Sequence, residues 1–169
     1  MSKYETPDYE VLIKEGEYEI RRYVGFFVVE YENENDPEIE SGFGTLFKYI
    51  SSDNRESKKI SMTVPVIEEV TKKIKKMAFV VPGKFGEHIP VPNNSYLKVK
   101  KFDEGLFGAI QYSGFSNKSK ELKMKKKLDI WIQKKGYKRQ SNYMLAFYNA
   151  PFTPPMFRRN EIWVRIIGV

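Results

Sequence analysis

The order of apolar and polar positions along the chain predicts a short alternation of strands and helices. Tyr9 to Ile13 reads as extended, Gly16 marks a turn, and Tyr18 to Tyr31, rich in Tyr, Phe, Val and Ile, reads as one long strand bent at Gly25. An acidic loop, Glu32 to Pro37, ends it. Ile39, Phe43, Leu46, Phe47 and Ile50 then recur at the i, i+4, i+7, i+8, i+11 spacing of a single helical stripe, so a helix is expected from Ile39. After a polar loop, Lys59 to Val70 returns to β-type residues broken by Pro65, and Ile74 to Val81 is a further strand. Pro82 to Asn94 holds three prolines and two glycines and reads as a long central connection.

The second half follows the same plan. LKVKKF at Leu97 to Phe102 repeats the alternation of YEIRRY at Tyr18 to Tyr23, and Leu106 to Phe115 follows as a strand. Ser116 to Lys135 is helical by pattern, with Met124, Leu128, Trp131 and Ile132 on one face, lysines on the other and Gly136 placed to stop it. Tyr143 to Pro151 mirrors Ile60 to Pro65, and Glu161 to Ile167 closes the chain as Met77 to Val81 closes the first half. Two ββαββ halves, about 9–81 and 97–169, joined by the Pro-rich loop 82–96, therefore predict one α+β domain. Its expected form is one curved or barrel-like antiparallel sheet with two helices packed against it. Pro65 and Pro151, at matching positions of the halves, are read as ending ladder pairing or bending the strand.

Composition narrows the chemistry. The 169 residues include one His and no Cys, which excludes a disulfide framework, cysteine-ligated metal and a cysteine nucleophile, and leaves His88 as the only imidazole. Twenty-nine basic against 22 acidic residues give a net charge of +7, but residues 1–50 alone carry a net −7. Lysines gather at Lys72, Lys73, Lys75 and Lys76, at Lys98, Lys100 and Lys101, and from Lys118 to Lys127. With Arg scarce and no aromatic-interleaved recognition motif beside them, they read as solvated faces, and nucleic acid is not the expected partner. Were the second helix to bind an acidic partner, Lys123, Lys126 and Lys127 would carry it. No apolar run approaches the roughly 18 residues of a membrane span, and the charged N-terminus does not resemble a signal peptide, so the expected setting is the cytoplasm. A monomer is the expected state.

Four segments, YEVLIKEGEYEIRRY, GFGTLFKYISSDN, KISMTVPV and YNAPFTPPMFRRNEIWV, occur in an order and spacing that together resemble the SOUL haem-binding protein family over Tyr9 to Val169. The resemblance implies a distorted antiparallel barrel of eight strands, built of two similar halves with two helices packed outside, a relation to effector-binding domains, and binding of haem or another flat tetrapyrrole for buffering or transport, without catalysis. The pocket it implies lies beside the first helix, with Phe43, Leu46, Phe47 and Ile50 as its wall, Lys48 at the cationic position facing the propionates, and Met62 as a further candidate. Arg22 stands where one type of member has a proposed axial His, and Glu40 replaces an Arg of the pocket helix, so haem is expected without His ligation at that position; His88 reads as an exposed loop residue. No metal ligand is assigned. Some relatives of effector-binding domains are hydrolases, and the alternative implied is an effector-binding or hydrolase-like site between the halves. There Glu161, with a raised pKa, would act as general base beside Tyr112 or Tyr148.

Overall fold

The computed structural model describes residues 4–71, 73–150 and 153–169. Lys72 and Pro151, both singled out in the sequence, lie outside the described residues. In chain order the strands are β1 (Tyr9–Glu15), β2 (Tyr18–Tyr23), β3 (Phe26–Tyr31), β4 (Val66–Val70), β5 (Lys75–Val80), β6 (Leu97–Phe102), β7 (Gly105–Tyr112), β8 (Tyr137–Arg139), β9 (Met144–Phe147) and β10 (Asn160–Gly168). The helices are α1 (Gly42–Ser51), between β3 and β4, and α2 (Lys118–Lys134), between β7 and β8. No helix among the described residues is long and apolar enough to cross a membrane.

The chain forms two compact units, and neither is continuous in sequence: one comprises residues 4–7 and 25–103, the other residues 8–24 and 104–169. In the first, β3 pairs antiparallel with β5 and with β6, and β5 pairs with β4. Val29, Tyr31 and Phe79 of this sheet form a core with Leu46, Tyr49 and Ile50 of α1. The buried Tyr49 hydroxyl donates to the Pro90 carbonyl at 2.6 Å, tying the Pro-rich connection to the helix.

In the second unit β7 lies between β2 and β10, with β1 beyond β2, β9 beside β10, and β8 pairing with the last residues of β10. Leu128, Trp131 and Ile132 of α2 pack on the face that carries Ile20, Ile110, Ile162 and Val164. Gly108 permits this approach: a Cβ there would lie 2.7 Å from Ile132 Cγ2, closer than carbon atoms pack. Asn117 caps α2 by accepting from the Lys120 N–H, and Gly136, at φ +86, follows its end, so this helix runs two residues inside its predicted start.

The structure differs from the expected barrel in two ways. Among the described residues there are ten strands, because the bent strand of residues 18–31 is two strands and because β8, three residues long, carries too little pattern to be seen. Each unit also ends on an edge strand: among the described residues β1 pairs only with β2 in the second unit, and β6 only with β3 in the first. Moreover YEIRRY and LKVKKF, whose likeness marks the repeat, each pair across the sequence halves. β2 pairs with β7 in register from Tyr18↔Ile110 to Tyr23↔Gly105, and β6 pairs with β3. Alternation specifies which face a side chain takes; it carries no label for the neighbouring strand.

Candidate functional site

The helix expected from Ile39 begins at Gly42. Asp36 sets this start: its carboxylate accepts the N–H groups of Glu40 and Ser41, at 2.9 and 2.8 Å, and the Tyr31 hydroxyl at 2.8 Å, holding residues 36–41 in a turn. The Ser41 amide first, with the Tyr31 hydroxyl and the Glu40 amide, brings the Asp36 carboxyl below its ordinary range against the opposing effect of burial. Ile39 stays in the core but at φ +53, outside the helix. Glu40 is an exposed residue of this turn rather than of the helix.

The apolar stripe of α1 splits between two environments. Leu46, Tyr49 and Ile50 are buried, whereas Phe43 and Phe47 remain 40% and 51% exposed. The covered face of the helix runs through Gly42, Leu46, Tyr49 and Ile50, so Phe43 and Phe47 fall on its flank and face outward. The two exposed rings lie 6.1 Å apart with 17° between their planes, and Phe43 also meets Phe79 edge-on at 5.3 Å. Beside them Gly44 has open space around the position of a Cβ, and Lys48, the residue after Phe47, is exposed. Met62 is half-buried against the core that holds Leu46 and Ile50. The six candidate residues thus divide into an open aromatic face with a cation beside it (Phe43, Phe47, Lys48) and the support beneath (Leu46, Ile50, Met62). The second unit carries Arg22, exposed on β2; His88, in the first, is exposed after Phe85.

The sequence reading placed Glu161 beside Tyr148 but did not anticipate Arg21, Arg159 and Trp163 around it, the most concentrated chemistry of the second unit. Glu161 is fully buried on β10 and accepts both terminal nitrogens of Arg21 at 2.8 Å, Arg159 Nη2 at 2.9 Å, Trp163 Nε1 at 2.8 Å and the Tyr148 hydroxyl at 3.0 Å. Arg21, 2% exposed, also donates to Glu19 at 2.7 Å and to the Tyr23 hydroxyl at 2.9 Å, and its guanidinium stands 4.5 Å from the Tyr9 ring centroid. Strand alternation puts Glu19, Arg21 and Tyr23 of β2 and Glu161 and Trp163 of β10 on the sheet face turned away from α2. Between them, Ala109 of β7 stands opposite both Glu19 and Trp163, and its small side chain leaves Arg21 room to reach Glu161.

This geometry overturns the general-base reading of Glu161. Burial alone would raise its pKa, but the hydrogen bonds and charge of Arg21, with the charge of Arg159 and the Trp163 N–H, hold it down to about 2. Tyr148 does donate to it, yet burial and the Glu161 charge push that phenol well above its ordinary range. Tyr112 turns instead to the Ser116 hydroxyl at 2.7 Å. A carboxylate with every oxygen claimed by N–H and O–H donors cannot take a proton at neutral pH, so the cluster is a buried anchor. Because the folded value lies below the ordinary 4.5, Glu161 contributes stability that is complete above pH 4.5 and is lost as the pH falls toward 2. The contribution is on the order of 3 kcal/mol. Urea unfolding at pH 7 and pH 3 is expected to show this loss in the wild type and a clearly smaller one in Glu161→Gln; equal losses would remove Glu161 as its source.

A cavity of about 310 Å³ in the second unit is lined by charged and polar groups, among them Lys14, Glu19, Tyr112 and Arg158, a lining unlike the faces of an apolar macrocycle. No group of His, Cys, Asp and Glu residues suited to hold a metal ion exists among the described residues.

Comparison with known proteins adds three findings. The family model described as SOUL heme-binding protein matches residues 4–165. Heme-binding protein 1 of Xenopus laevis is 24% identical over 167 residues, covering 90% of this chain and 87% of that protein. Among solved structures, the EcmrR C-terminal domain superposes with a TM-score of 0.64 at 10% identity, covering 95% of this chain and 99% of that one. A hydrolase from Listeria innocua superposes with a TM-score of 0.61 at 11% identity, covering 92% and 94%. At these identities the two structures share the fold with this chain, and their activities do not transfer.

Proposed function

Because the chain belongs to the SOUL heme-binding protein family, we propose that it binds haem or a related tetrapyrrole non-covalently on the open face of α1, as a carrier or buffer rather than a catalyst. The observation that carries this reading is the pair of near-parallel rings of Phe43 and Phe47 held toward solvent on a rigid helix. A tetrapyrrole needs a flat apolar contact and a cation for its propionates. The two phenylalanines supply the first and Lys48 the second, while Leu46 and Ile50 anchor the helix from beneath and Met62 packs beside them. The fit is to an open platform, which suits a ligand that must be taken up and released.

Ligation by histidine forms no part of the proposal. Arg22 occupies the position at which one member type has its proposed axial residue, and an arginine does not ligate iron at neutral pH. Titrating haemin into the protein is expected to produce a saturable change in the Soret band, with a spectrum unaltered in His88→Ala. No saturable change would overturn haem binding, and a Soret band shifted by His88→Ala would overturn the ligation reading.

A further inference from the structure

The second unit ends in a loop pair that exposes large apolar side chains. The β7–α2 loop and the loop before β10 are stitched together by the Gly114 N–H donating to the Pro155 carbonyl at 3.0 Å and by Asn160 Nδ2 donating to the Gly114 carbonyl at 2.8 Å. This fixed pair presents Phe115, Met156 and Phe157, which are 58%, 77% and 69% exposed. Gly114 adopts φ +88, a conformation suited to glycine, so the turn that displays Phe115 is built into the backbone.

Cations surround the tip. The Arg158 guanidinium stands 4.7 Å from the Phe115 ring centroid while its Nε donates to the Thr153 carbonyl at 2.8 Å. Lys120 reaches back to the Ser113 carbonyl. The first turns of α2 continue the basic surface with Lys118 and Lys123, both exposed, around Leu122, which is 56% exposed. The acidic residue of this stretch, Glu121, is engaged by the Ser116 hydroxyl at 2.6 Å.

We propose that this tip and the start of α2 dock the protein on an anionic lipid bilayer, with Phe115, Met156 and Phe157 entering the interface and the lysines meeting the headgroups. Charge complementarity points to an anionic surface, and the protruding apolar side chains choose among such surfaces. Aromatic and Met side chains gain free energy on entering a headgroup–acyl boundary, whereas against a nucleic-acid backbone they would stay wet or displace phosphate contacts. Lysine stems lie along an apolar boundary with their ammonium groups outside it. The tip is built from residues of the second unit and the α1 face from residues of the first, so the proposal stands whether or not haem binds at α1.

Co-sedimentation of the whole chain with vesicles tests it. Binding is expected to vesicles of phosphatidylcholine containing phosphatidylserine, at background level to phosphatidylcholine alone, and to fall steeply with salt. Met156→Ser with Phe157→Ser, at exposed positions, is expected to weaken partitioning about tenfold. Lys118→Glu with Lys123→Glu is expected to weaken it by about the same factor. Unchanged circular dichroism and an unchanged haemin titration in both variants would confirm that fold and ligand face are intact. Absence of binding to the anionic vesicles, equal binding by the Ser variant and the wild type, or retention on duplex DNA in preference to vesicles would each overturn the proposal.

Discussion

Arg21→Ala is expected to lower the free energy of unfolding by about 3–5 kcal/mol, the range found when one partner of a buried ion pair is removed. The size follows from what remains. Glu161, with no exposure, loses two hydrogen bonds of 2.8 Å and the positive charge of Arg21. Arg159 still donates to Glu161 at 2.9 Å, but it is the more exposed of the two arginines, with 39% of its side chain accessible, and it offsets only part of the loss. The melting temperature is expected to fall by roughly 6–20 °C. Arg21→Lys should rescue little, because an ammonium cannot bond both carboxylate oxygens, Glu19 and Tyr23 from one planar fork. Adding Glu161→Gln to Arg21→Ala should recover part of the stability, since the orphaned charge is then gone. A loss below about 1 kcal/mol in urea denaturation at pH 7 would show that Arg159 alone suffices and that the pair is not the anchor.

The second large effect concerns the ligand. Phe43→Ala with Phe47→Ala is expected to weaken haemin binding by roughly one to two orders of magnitude, since each ring contributes stacking and apolar contact to a macrocycle lying on them. Stability should fall by much less, because both rings are largely exposed and the edge contact of Phe43 with Phe79 is what ties them to the core sheet. This division between affinity and stability separates a binding face from an ordinary core stripe. Haemin affinity unchanged in the double variant would remove α1 as the site, even if the wild type binds haem.

Residue types in local order were enough to anticipate α2 through its apolar face of Leu128, Trp131 and Ile132 and the glycine after its end, though not the Asn117 cap that sets its start. The stripe of α1 was equally visible, but not its division. Phe43 and Leu46 are alike to a periodicity argument, and only the way the helix is turned on the sheet, with Gly42, Leu46, Tyr49 and Ile50 inward, decides that Leu46 is covered and Phe43 is not. The inward position of Arg21 was present in the alternation of YEIRRY, where it shares a face with Glu19 and Tyr23. A charged residue at such a position signals a buried partner, yet that partner lies 140 positions away and on a strand that is not its direct neighbour.

The sequence by itself determined the α+β class, the kinds of element and most of their places, the family, and the absence of thiol chemistry, because these depend on residue type and short-range order. Only the tertiary structure decided that β2 joins β7 and β6 joins β3, that Glu161 is an ion held by arginines rather than a base, and which phenylalanines face solvent. The physical reason is common to all three. Strand pairing, electrostatic environment and exposure depend on groups brought close by folding across long stretches of chain, and a local pattern encodes the face a residue turns but not what it meets there.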